Sequence, residues 1–140
     1  MTSLIGNAPV DGVDVAALLG IPISAEQERA VQAPLKPCAV IAGAGTGKTT
    51  VMAARVVWLV ASRLVSPEEI LGLTFTNKAT AELSERIESN LTRVGLLTSE
   101  QPRPTVATYD SFAGTLVNDY GAWDGISTGA HLITGARAYQ

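Results

Sequence analysis

Apolar and polar positions fall along this chain in short blocks, each closed by a turn signal. The run Cys38-Ala39-Val40-Ile41 is uncharged and predicts a buried strand of the kind parallel sheets use. Residues 70–75 predict a second buried strand, and residues 105–108 a third. Between them the spacing turns helical. Residues 50–65 carry Val51, Met52, Val56, Val57, Trp58, Leu59 and Val60 with little polar surface, which predicts a helix buried on more than one side and Trp58 in the core. Thr76 or Asn77 is placed to cap a helix running to about residue 97. On that helix Lys78/Glu82 and Glu82/Arg86 stand at i,i+4 with opposite charge, the mark of a solvated face. Residues 111–120 predict a further helix, stopped by Gly121.

Local signals punctuate the rest. A short helix over 14–19 ends at Gly20 and Pro22. Ser24 with Gln27, and Ser66 with Glu69 behind Pro67, both have the capping-box spacing. The first opens a helix from 25 to about 32. Residues 98–104 read as a polar loop. Alternation of strand and helix predicts an α/β layered domain with a parallel sheet, in which residues 1–21 form a leader and 22–140 one unit.

Composition narrows the class. A chain of 140 residues with 46% hydrophobic and 16% charged positions suits one globular domain. Its net charge of −3 argues against a strongly basic phosphate-neutralising face. Single strands stacked on aromatics need no basic total. Cys38 is the sole cysteine, so no intrachain disulfide forms, and a small apolar residue in a buried strand is its expected role. The start has no positive n-region, and the longest apolar run, 56–61, is too short to span a bilayer. A cytoplasmic protein with no membrane partner is expected. His131, the single histidine, is expected at the surface.

The chemistry lies in Ala42-Gly43-Ala44-Gly45-Thr46-Gly47-Lys48-Thr49. Strand, glycine-rich turn and helix are the context of a phosphate-binding loop. Glycines let successive N–H groups face one anion at the positive end of a helix dipole. Lys48 is placed to reach the β/γ-phosphates, and the Thr49 hydroxyl to hold Mg²⁺. Ala42 stands where the G-x-x-x-x-G-K-[ST] pattern begins with glycine.

A phosphate loop does not choose among kinases, GTPases, transporters and helicases. Its neighbours do: Gln27 upstream, then Phe75-Thr76-Asn77-Lys78-Ala79 and Ala107-Thr108-Tyr109-Asp110-Ser111-Phe112 downstream. In this order they resemble the Q, I, Ia and Ib motifs of UvrD/Rep-type superfamily 1 DNA helicases, over roughly residues 22–121. Residues 52–61 look most like the B arm of the AdnAB helicase–nucleases. The resemblance implies a phosphate-loop NTPase with a RecA-like parallel sheet flanked by helices, present here as the N-terminal part of the ATP-binding domain.

It also implies roles. Gln27 would read adenine, or serve the capping box with Ser24, or both. Gly43, Ala44, Gly45, Thr46, Gly47, Lys48, Thr49 and Thr50 would cradle ATP, with Lys48 and Thr49 catalytic and Thr49 on Mg²⁺. An alanine at the first loop position is common in this family. Phe75, Thr76, Asn77, Lys78, Tyr109 and Ser111 would lie on single-stranded or partly duplex DNA. Phe75 could instead be strand-end core, and Lys78 could serve only Glu82. Asp110 replaces the family's histidine and is expected to cap the following helix. Thr50 stands where many members carry arginine, so one cationic contact to the nucleotide is expected to be missing.

No Asp-Glu pair follows an apolar strand, so the chain is expected to stop short of the Walker B carboxylates and to be inactive alone, with faces of its sheet uncovered. The implied parent is an ATP-dependent DNA helicase acting in repair or recombination, with a second helicase–nuclease subunit as a possible partner. Its rivals are another phosphate-loop enzyme, such as a small-molecule kinase, and a non-catalytic nucleotide- or DNA-binding module.

Overall fold

The computed structural model describes residues 12–125; the expectations for residues 1–11, for 130–133 and for His131 lie outside them. Among the described residues five α-helices and two strands follow in the order α1 (Val15–Leu19), α2 (Ala25–Val31), α3 (Lys48–Ala61), β1 (Leu71–Thr74), α4 (Asn77–Arg93), β2 (Thr105–Thr108) and α5 (Tyr109–Tyr120). Single 3₁₀ turns cover Pro67–Glu69 and Gly121–Asp124. The predicted α/β layering is present.

Helix starts follow the local chemistry. Asp14, Ser24, Thr76 and Thr108 each accept a hydrogen bond from a first-turn N–H of α1, α2, α4 and α5, which supplies a partner to a donor the helix leaves open. The fourth of these corrects the sequence: Thr108 caps α5, while Asp110 sits inside its first turn, where its charge still favours the dipole. Helix α4 ends at Arg93 rather than near 97, and α3 ends at Ala61 rather than 65. The α3 terminus is a Schellman turn in which Leu64 N–H donates to Leu59 O at 3.0 Å and Arg63 N–H to Val60 O at 3.0 Å. Arg63 takes φ 57° to close it.

The core is built mainly by helix on helix. Leu83, Ile87 and Leu91 form the buried stripe of α4, repeating every four residues. They cluster with Ala53, Ala54 and Val57 of α3, Val15 and Leu19 of α1, and Val31 of α2. Small Ala53 and Ala54, with no exposure, let the neighbouring backbones come close. Trp58 is half-buried against this cluster rather than within it. Ser62 is enclosed (2% exposed) and its Oγ has no hydrogen-bond partner among the described residues. An unpartnered buried hydroxyl costs about 1–3 kcal/mol. Ser62→Ala in the full-length protein is therefore expected to raise resistance to urea unfolding by about 1 kcal/mol, and a lowered midpoint would count against this.

The sheet has two strands among the described residues, β1 and β2, parallel and in the register Leu71↔Thr105 through Thr74↔Thr108. Helix α4 makes the crossover and covers one face. Leu71 remains 44% exposed, in line with an uncovered sheet surface. The predicted strand at 38–41 is not formed: residues 37–43 have no assigned secondary structure, Val40 and Ile41 are 58% and 97% exposed, and Cys38 is exposed rather than buried. A strand exists only as one side of a ladder, and neither β1 nor β2 pairs with this segment.

Candidate functional site

Helix α3 begins without a side-chain cap. Its N-cap is Gly47, at φ 79°, a conformation in which a side chain is strained. A Cβ there would also stand 3.3 Å from Gln27 Nε2. Gly45 is left-handed too, at φ 74°. Ala42 and Ala44 have no positive φ, so the pattern's first glycine is dispensable here on backbone grounds. The loop thus delivers the first-turn N–H groups of α3 unclaimed by any capping side chain, at the positive end of a 14-residue helix.

The loop's side chains brace it. Thr46 Oγ1 donates to Gly43 O at 2.7 Å. Lys48 Nζ donates to the same oxygen at 2.7 Å and to Ala42 O at 3.2 Å, so its ammonium arches over the loop with no carboxylate partner among the described residues. Gln27 resolves one open alternative in part. Its Oε1 accepts from Ser24 N–H at 2.9 Å and its own N–H donates to Ser24 Oγ at 3.2 Å, completing the capping box. Its Nε2 also donates to Thr46 O at 3.1 Å. The amide therefore touches the loop while it caps α2. A groove of about 620 Å³ runs beside these groups, lined by Gln27, Ala30, Ile41, Lys48, Met52 and Arg55 among others.

Thr49 and Thr50 are half-buried. Arg86 Nη1, on α4, donates to Thr50 Oγ1 at 2.7 Å. The i,i+4 reading of Glu82/Arg86 is corrected by this contact, because Arg86 turns to α3 and the ion pair that forms on α4 is Lys78 with Glu82 at 3.9 Å, both exposed. A cation thus stands next to Thr50 after all, supplied from another helix. Sequence spacing gave no signal for it.

The second cluster lies at the carboxyl ends of the strands. Register places Thr74 beside Thr108, so the residues that follow, Phe75 and Tyr109, emerge side by side. Their ring centroids are 5.1 Å apart with planes tilted 36°. Phe75 is 88% exposed and Tyr109 50%, which overturns the strand-end-core reading of Phe75. Thr76 Oγ1 is taken by the cap of α4, accepting from Ala79 N–H at 3.1 Å. Ser111 Oγ accepts from Thr108 Oγ1 at 2.9 Å, so it too is engaged in a cap. Asn77 and Lys78 are exposed. Two neighbouring rings open to water make an exposed apolar patch of the kind that marks a contact site, and they offer flat faces of a kind that tolerates any base.

The family model described as UvrD/REP helicase N-terminal domain matches residues 23–136. Over 97 residues the chain is 37% identical to a probable DNA helicase II homolog of Rickettsia conorii, covering 69% of this chain and 14% of that protein. It is 48% identical over 65 residues to the ATP-dependent DNA helicase PcrA of Bacillus subtilis, covering 46% and 9%. To DNA helicase II of Escherichia coli it is 45% identical over 75 residues, covering 54% and 10%. The chain therefore matches about a tenth of the length of these relatives. No helix among the described residues is long and apolar enough to cross a membrane.

Proposed function

The chain belongs to the UvrD/REP helicase N-terminal domain family, and from that membership we propose that it is the nucleotide- and DNA-contacting start of a RecA-like motor domain in a cytoplasmic, ATP-dependent DNA helicase of repair or recombination. Residues 43–50 cradle ATP, Lys48 meets the β/γ-phosphates and Thr49 holds Mg²⁺. The donor set fits that ion: one hydroxyl, with phosphate oxygens and water completing a hard-cation shell. Arg86, through Thr50, brings a second cation to the same end of α3. Gln27 reads the adenine edge with the second amide N–H and the second Oε1 lone pair, which its contacts to Thr46 O and Ser24 N–H leave over.

The observation that carries the proposal over a small-molecule kinase is the exposed Phe75–Tyr109 pair. A kinase has no use for two solvent-facing rings at the strand ends, whereas a motor must hold a strand beside its nucleotide. Phe75 and Tyr109 stack bases, while Thr76, Asn77, Lys78 and Ser111 border the backbone path. The relatives are DNA helicases, and the second helicase–nuclease subunit expected from residues 52–61 finds no support in them.

The test is ATP hydrolysis by the full-length protein with and without oligo-dT. Stimulation by the single strand is the expected result, and a rate indifferent to it would return the site to the other phosphate-loop enzymes. The 140-residue chain alone is expected to show no hydrolysis above background, because phosphoryl transfer needs several positioned charged groups and the sequence has no Asp-Glu pair after an apolar strand to hold Mg²⁺ and activate water. Mg²⁺-dependent phosphate release lost with Lys48→Ala would refute that.

A further inference from the structure

Helix α2 is short, and its placement decides where Gln27 stands. Its seven residues end at Val31, and the C-cap Gln32, at φ −92° and ψ 7°, is not left-handed. The last carbonyls of a helix need donors from somewhere. Here they come from α3: Arg55 Nη1 donates to Val31 O at 2.9 Å, Ala33 O at 2.8 Å and Ala30 O at 3.3 Å, and Nη2 to Pro34 O at 3.4 Å. A guanidinium, planar and always charged, is matched to a ring of carbonyls at a helix's negative end. No acidic side chain pairs with Arg55 among the described residues.

Arg55 stands seven residues after Lys48, two turns along the same face of α3. One rigid helix thus sets the phosphate-binding ammonium at its first turn and grips the adenine-reading helix at its third. Other anchors of α2 are the burial of Val31, 1% exposed, the packing of Ile23 on the core just ahead of the helix, and the Gln27–Thr46 contact itself. The arginine adds the hydrogen bonds that hold the carboxyl end of α2 to α3.

We infer that Arg55 is a positioning residue for nucleotide specificity: by binding the carboxyl end of α2 it fixes the distance between Gln27 and the phosphate loop, and so the register at which a base is read. This rests on Gln27 reading adenine.

The experiment measures binding of fluorescent ATP and GTP analogues to the full-length protein and its variants, at a temperature where circular dichroism shows each folded. Arg55→Ala should reduce the ATP/GTP affinity ratio by about tenfold, approaching the ratio of Gln27→Ala, and the double variant should fall no further than Gln27→Ala alone. Arg55→Met, which keeps the apolar stem and removes the fork, should behave like Arg55→Ala and carries the test if the alanine variant does not fold. A parent ratio that depends on Gln27 and survives loss of the guanidinium overturns the clamp and leaves the adenine reading standing. A ratio indifferent to Gln27→Ala overturns that reading, and the clamp's purpose with it. A lower melting temperature with an unchanged ratio marks Arg55 as a support of the fold only.

Discussion

Lys48→Ala in the full-length protein is expected to lower kcat for ATP hydrolysis by about 10²–10³-fold or more, the usual cost of removing one preorganised charge-stabilising group. Within residues 42–50 it is the only cation. Its Nζ is fixed by Gly43 O and Ala42 O, which presets the ammonium over the loop before any phosphate arrives. Preorganisation of this kind is what an electrostatic group contributes to a transition state. Arginine should not restore the rate, because its broad planar fork cannot occupy a point position between two loop carbonyls. Arg86 next to Thr50 should hold some nucleotide affinity in the variant, so kcat should fall further than binding does. Steady-state phosphate release with equilibrium nucleotide binding separates the two. A Lys48→Ala protein within threefold of the parent would place the phosphates elsewhere.

What the sequence discloses and what it hides divide along one physical line. Ser24 with Gln27, Thr76 ahead of α4, and the positive-φ glycines of the loop are local: each group and its partner lie within a few residues, so type and spacing suffice. Thr108 and Asp110 are both good caps two positions apart, and the choice falls to where β2 ends, which local chemistry does not contain. The run 38–41 has the composition of a buried strand, but pairing is a relation to another segment, and the apolar pattern cannot provide one. Arg86 shows the same limit from the other side. An acidic residue stands four positions before it, and still its hydrogen bond goes to Thr50, 36 residues away. Arg55 likewise reaches residues 22–25 positions upstream to close α2.

The aromatic pair is the sharpest case of the two kinds of information meeting. Phe75 and Tyr109 were each legible as motif residues, but only the parallel register of β1 and β2 makes them neighbours. Phe75→Ala in the full-length protein should therefore weaken single-strand binding by about 1–3 kcal/mol, the worth of one base stacked on an aromatic ring. The loss should be similar for oligo-dT and oligo-dA, since every base has a π-face. Tyr109→Ala should cost less, because that residue is less exposed, 50% against 88%. Rings 5.1 Å apart also support each other by about 0.5–1.5 kcal/mol, so the double variant should lose less than the sum of the two singles. Nucleotide affinity without DNA should stay within twofold of the parent, because neither ring borders the phosphate loop's hydrogen bonds. Fluorescence anisotropy with labelled oligonucleotides, run beside nucleotide titrations, reads both quantities on one preparation. A folded Phe75→Ala protein that holds oligo-dT as tightly as the parent would mean the strand runs elsewhere, and that these exposed rings meet protein instead.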